Sequence, residues 1–417
     1  MKYSSKEIGI VRDLAKQYME VAMSEKHIRM RKRFCDTNDL KIVRPPLIME
    51  EIPWHEMKLD EQFRCVCEDP DLRQAEHYLR FMLYRAKTFR CDIHMDPFWS
   101  VHKSFSTTGN GFDWAVRDDT IAVDNANEIV SHHYHDVIEE ESTFDEMYHD
   151  PVVTPYPEND RANLERAYDM LGDTIPIVLR GAALWHSPWD SISRLRGVET
   201  VLMDMIDRPE YLHKIIRMFT RARALEMDQM EKYGLYDPCV TNLHCTPGAF
   251  THTEPYDPEF GRCKDTWFRT MAQMFSTVSP DAHYEFDIQY SVPLASRCAY
   301  TYYGCCEPLW DRIDILKHYP NLRKIGCSPW SKVEATAEAI EGKYVLSRKP
   351  NPAHVASVTD PEQIRAEITE TVKACLKYGC PCDITLKDIS TVGYRPENLV
   401  VWAETASAVL DEYYGEA

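Results

Sequence analysis

Short apolar runs recur along the chain, and most are followed by a longer segment in which apolar residues return every three or four positions. That alternation predicts strands followed by helices. Residues 5–36 carry helical spacing with charge on the opposite face, and predict an amphipathic N-terminal helical extension over residues 1–40. Strands are expected at 42–49, 91–95, 175–181, 239–245, 298–303, 322–328, 343–347 and 382–386. Helices are expected at 71–87, 194–205, 208–234, 309–318, 331–341 and 360–378. No Gly/Ser linker divides the series, so the expectation is one α/β domain over 41–417, a TIM (β/α)8 barrel. Residues 103–160 break the rhythm and are expected to form an insertion or lid. Their run SHHYHDVIEEE reads as a solvated acidic helix, with metal binding as the alternative.

Composition narrows the partners. The 417 residues carry a formal net charge of −19, which argues against a nucleic-acid or anionic-membrane partner, since both require clustered positive charge. The first thirty residues are charged throughout and hold no long apolar run, so a cytoplasmic protein is expected. Fourteen cysteines lack the paired spacing of a zinc ribbon and are expected to be mostly reduced and buried. Composition is compatible with a homodimer and does not require one.

Candidate chemistry gathers at predicted strand ends. Tyr302-Tyr303-Gly304-Cys305-Cys306-Glu307-Pro308 closes a strand with a glycine bend, then presents two thiols and a carboxylate where the loops of a parallel barrel converge. After the first strand, Trp54 precedes His55 and Glu56, a pair suited to general acid/base work or to anchoring the loop. His244 ends the expected fourth strand, as a ligand, a proton carrier or a satisfied core histidine. Arg348 and Lys349 would clamp an anionic group, or Arg348 would pair with Glu50 or Glu51. Glu50, Asp96, Asp265, Trp54 and Trp185 complete the substrate-facing set, the tryptophans suiting a flat or methylated ligand.

Several motifs resemble the uroporphyrinogen decarboxylase superfamily: Arg44-Pro45-Pro46 at the first strand, Asp265-Thr266-Trp267 ahead of Ser279-Pro280, KYVLSRKPNP, and Tyr394-Arg395-Pro396-Glu397-Asn398-Leu399. The likeness runs over most of the chain from about residue 40 and implies the barrel. Decarboxylases of that superfamily place arginines after the first strand, where this chain has Glu50 and Glu51. The resemblance therefore leans to the cobalamin-dependent methyltransferase branch. It implies zinc on Cys306 and Cys382, with Cys305, Glu307 or His244 completing the set, although Tyr303 or Gly304 stands where that branch has a histidine. It also implies a methyl group moved between a small methylated compound and a corrinoid protein that supplies the cobalamin. Two other readings stand beside it. One is a metal-free decarboxylase or lyase of a small carboxylic acid, using His55, Glu56 and Arg348. The other is a non-catalytic tetrapyrrole- or corrinoid-binding protein.

Overall fold

The computed structural model describes residues 3–59, 61–112, 115–122, 130–237, 261–357 and 359–415. The helical lead is two helices, Ser5–Ala22 and Glu25–Asn38, parted where Ser24 accepts a hydrogen bond from the His27 amide and caps the second. The first strand is shorter than expected, because Pro45 and Pro46 have no N–H to give a ladder.

Seven strands form one parallel sheet: β1 Leu47–Met49, β2 Leu184–His186, β3 Trp267–Thr270, β4 Tyr300–Tyr303, β5 Leu322–Cys327, β6 Val345–Arg348 and β7 Cys382–Leu386. Their spatial order is β1-β7-β6-β5-β4-β3-β2, every pair parallel. Each neighbouring pair from β3 onward is joined through helix, and the helices cover one face of the sheet, burying Ile325, Leu346, Ile384 and Leu386 in the main core. The other face is polar and is considered below.

Beyond β1, the Asp92 amide donates to the Leu47 carbonyl at 2.6 Å, but 91–95 adds no ladder strand. The chain pairs next at Trp99–His102, parallel to Ile177–Arg180. At Gly181 a Cβ would lie 2.3 Å from the Tyr236 carbonyl carbon, so only glycine lets 235–237 approach the start of β2. The strand expected at 239–245, with His244, lies outside the described residues.

The segment 103–160 pairs Phe105–Thr107 with Val153–Pro155 and Asp118–Ala122 with Val130–Tyr134, both antiparallel. Much of the histidine run is therefore strand, not the expected acidic helix: His132 bonds Asp118 at 2.6 Å and His135 bonds Asp119 at 2.9 Å across the hairpin. Helix Glu25–Asn38 packs Met30 and Phe34 on Ile48 of β1, and its Asn38 carbonyl accepts from Arg323 near the start of β5 at 2.6 Å. It thereby covers the amino end of the polar face. No helix among the described residues is long and apolar enough to cross a membrane.

Candidate functional site

The side chains that alternate onto the helix-free face are Trp185, Arg269, Tyr302, Lys324, Ser347 and Asp383, one from each strand from β2 to β7. Lys324 pairs with Asp383 at 2.7 Å, Ser347 donates to the other Asp383 oxygen at 2.6 Å, and Tyr302 donates to Ser347 at 3.1 Å. Lys349 donates to Ser347 at 2.7 Å. Burial alone would raise the Tyr302 hydroxyl, but Lys349 and Arg269 outweigh it and lower the value. The guanidinium of Arg269 lies over the Tyr302 ring at 4.0 Å and faces the Trp185 ring at 5.6 Å.

At the carboxyl ends of β4 and β7 the two thiols meet a lysine. The Cys305 and Cys306 sulfurs are 3.6 Å apart, and the Lys387 ammonium lies 3.4 Å from the first and 3.6 Å from the second. Its third neighbour is Asp388, at 2.7 Å. Asp388 also accepts from Cys306 at 3.4 Å. The Cys306 thiol is pushed up, first by its bond to Cys305 and then by burial, while Lys387 pulls it down.

Two of the positive-φ side chains stand here, Asp388 at φ +57° and Glu51 at φ +53°, and Gly304 takes φ +101°; the Asp388 amide donates to Glu51 at 2.8 Å. Glu307 is buried; one oxygen accepts from the Cys305 amide at 2.8 Å and the other has no partner among the described residues. Burial and Cys305 raise its carboxyl above the usual range, with Arg269 opposing.

Other expected site residues are placed elsewhere. Cys382 opens β7, about 13 Å from Leu386 at roughly 3.3 Å per residue, and shares a face with Ile384 and Leu386, toward the helices. Its thiol is pushed well up by burial and by Cys375 of helix Pro361–Tyr378. It does not join Cys306. Among the described residues, no three His, Cys, Asp or Glu side chains group so as to hold a metal. The Lys387 ammonium stands where a cation between the two thiols would sit. Among the described residues, Cys306 and Cys382 therefore do not come together as zinc ligands, and His244 lies outside those residues.

Arg348 alternates outward too, pairing with Glu367 at 2.7 Å and donating to the Ser328 carbonyl at 2.6 Å, so it clamps the helix layer and leaves both Glu50 and Glu307 alone. Glu50 pairs with Arg85 at 2.8 Å. Glu56 accepts from Thr391 at 2.7 Å, from the Val392 amide at 2.7 Å and from the Tyr394 amide at 3.2 Å; these bonds outweigh burial and lower its carboxyl. It is an anchor for the last loop, and His55 lies 3.7 Å from it. Trp54 packs on Phe63, Phe81 and Tyr84, a core role. Asp265 precedes β3, at the opposite end of the sheet from the thiols, and binds Arg262 at 2.6 Å. Asp96 bonds His94 at 2.8 Å and lines a separate cavity of about 670 Å³ with Trp99 and Arg180. Trp185 does face Arg269, and it also borders a cavity of about 380 Å³ with His186.

Lys387, Asp388 and Arg269 were not expected from sequence. The dipeptide Lys387-Asp388 directly after the apolar run of β7 was the available signal, since charges at a parallel strand's carboxyl end face the mouth.

No protein-family model matches the chain, and no curated protein matches it. Among solved structures it is similar to a methyltransferase from Methanosarcina mazei, at 15% identity and a TM-score of 0.48, over 92% of this chain and 99% of that one.

Proposed function

We propose that the chain is an enzyme of the methyltransferase class whose reaction centre is the Cys305–Cys306 pair with Lys387 as its counter-ion. The observation that carries this reading is one ammonium within 3.6 Å of two thiols at the carboxyl ends of two parallel strands. A lysine so placed favours loss of the first proton from the pair, since a nearby opposite charge stabilises the thiolate, and the thiolate is the nucleophile. The two sulfurs then share the remaining proton, and the negative charge of the pair is held beside Lys387. Glu307, with one buried oxygen unpartnered among the described residues, is a proton donor or acceptor next to that pair.

The sheet, on this reading, closes as an eight-stranded barrel. Three contacts support closure: Asp92 on Leu47, the Trp99–His102 ladder with Ile177–Arg180, and the Ala182–Tyr236 bridge beside β2. The thiols then open at the mouth, where a small methylated compound and a corrinoid-carrying partner protein both have access. The superfamily resemblance of the late motifs supports methyl transfer over other thiol chemistry. A metal-free decarboxylase built on Glu56 and Arg348 loses support, because both are committed to structural partners.

The test is incubation with methylcobalamin, followed by peptide mass analysis of residues 298–312. A methyl group on the pair, absent in Cys305→Ser, is the expected result. An unmodified pair with turnover of a methylated substrate retained in Cys305→Ser would refute the reading.

A further inference from the structure

Seven arginines are buried among the described residues: Arg44, Arg85, Arg180, Arg196, Arg269, Arg312 and Arg348. Six of them have a carboxylate within 4 Å: Asp411 for Arg44, Glu50 for Arg85, Asp237 for Arg180, Asp204 for Arg196, Asp311 for Arg312 and Glu367 for Arg348. Among the described residues no carboxylate lies within 4 Å of Arg269, and at 1% exposure it is also the most buried of the seven. Its Nη1 donates to the Thr270 carbonyl at 2.9 Å, and among the described residues its Nε has no partner, a state it shares with Arg44, Arg85, Arg312 and Arg348. A buried guanidinium without an anion is costly, and proteins avoid leaving one so.

Its surroundings indicate what completes it. Arg269 is the third residue of β3, in register with Tyr302 of β4, the strand that ends just before the thiol pair, and Glu307 feels the charges of both Arg269 and Cys305. The rings of Tyr302 and Trp185 lie 4.0 Å and 5.6 Å from the guanidinium and offer it no anion, so a planar, bidentate partner such as a carboxylate is what its remaining N–H groups would take. Lys349 adds positive charge nearby, whereas Asp383 is already taken by Lys324 and Ser347. Glu307 feels Arg269 electrostatically yet forms no ion pair with it.

We infer that Arg269 binds a carboxylate of the substrate, so that the molecule presented to the Cys305–Cys306 pair is a small organic acid. This inference rests on the thiol pair being the reaction centre, and it narrows the substrate to a carboxylate-bearing compound.

Two alkylating probes of similar size test it, iodoacetate and iodoacetamide, each forming a carbon–sulfur bond as iodide leaves with the carbon–iodine electron pair. Rates are read at Cys305 and Cys306 by fragment spectra and compared with glutathione. The wild-type pair is expected to favour iodoacetate over iodoacetamide by on the order of 10-fold more than glutathione does, the scale of electrostatic steering into a charged cleft. In Arg269→Gln the ratio of the two rates should fall to that of glutathione, and Arg269→Lys should keep most of the preference. A wild-type preference equal to that of glutathione overturns the inference, whether or not Arg269→Gln folds, and so does a preference unchanged in Arg269→Gln. If neither reagent modifies the folded wild type, the thiol reading fails instead. Malonate then decides the anion site alone: a thermal midpoint raised in wild type and not in Arg269→Gln upholds it, and no rise sinks it.

Discussion

On the proposed reading Lys387, which also pairs with Asp388 at 2.7 Å, balances the charge of a thiolate forming on the Cys305–Cys306 pair. Lys387 is buried, so little water screens it. Hydrogen bonds to charged groups are worth about 1.5–3 kcal/mol. Lys387→Met should therefore slow alkylation of the pair by iodoacetamide at pH 7 by roughly 10-fold or more, on the rule that about 1.4 kcal/mol is tenfold. Cys382→Ala should leave that rate unchanged, because its sulfur faces Cys375 behind the sheet. Equal slowing in both variants would show a general loss of structure in place of a local charge effect. At this scale the sequence was partly legible. Cys305, Cys306 and Glu307 sit side by side after a glycine, and adjacency alone brings them to one strand end. Lys387 is 82 residues from Cys305, and nothing local joins them; only the parallel register of the sheet does. Cys382 misled for the same reason. Its place at the start of a strand, on the helix-facing alternate, depends on register and phase that one residue can invert.

Among the elements, the bend after β4 carries the site. At Gly304 an added Cβ would lie 2.4 Å from Leu309, on top of a left-handed φ. Gly304→Ala is expected to cost about 1–3 kcal/mol, the usual price of such strain, and urea midpoints would show it; a neutral outcome would mean that the bend is looser than described. The helix Glu25–Asn38 makes a second prediction. His27 is buried on it, and burial, with Lys26 and Arg31, lowers its imidazole to about 4 from 6.5. Between those values the unfolded chain takes up a proton that the folded chain refuses, so stability falls as pH drops from 6.5 toward 4. His27→Gln should flatten the pH dependence of the thermal midpoint over that window, and an unchanged slope would contradict the assignment. Elements with one apolar pattern were easily read: β7, and helices Pro70–Thr88 and Pro361–Tyr378, match the expected spans to within one residue. Strand β3 was not expected, because Arg269 and Thr270 interrupt its apolar run. Arg269 faces the polar side and Thr270 the opposite one at the carboxyl end, so polar residues stand on both alternates and no apolar period survives.

The molecule as a whole is acidic, at −19, yet Arg269, Lys324, Lys349 and Lys387 crowd the helix-free face against Asp383 and Glu307. Net charge thus describes the outer surface and says little about the cleft. The α/β class and the parallel sheet were legible from the alternation of strands and helices, since that order leaves few other ways to bury both sides. The hairpins within 103–160 were not, because short antiparallel pairs in a polar segment have almost no apolar pattern to reveal them. Most direct for the central claim is the pH–rate profile of iodoacetamide at Cys305 and Cys306. A pair sharing one proton beside Lys387 should begin to react well below the ordinary thiol value of about 8.5, and Lys387→Met should return the onset to that value. An onset near 8.5 in the wild type, unmoved by Lys387→Met, would contradict the account.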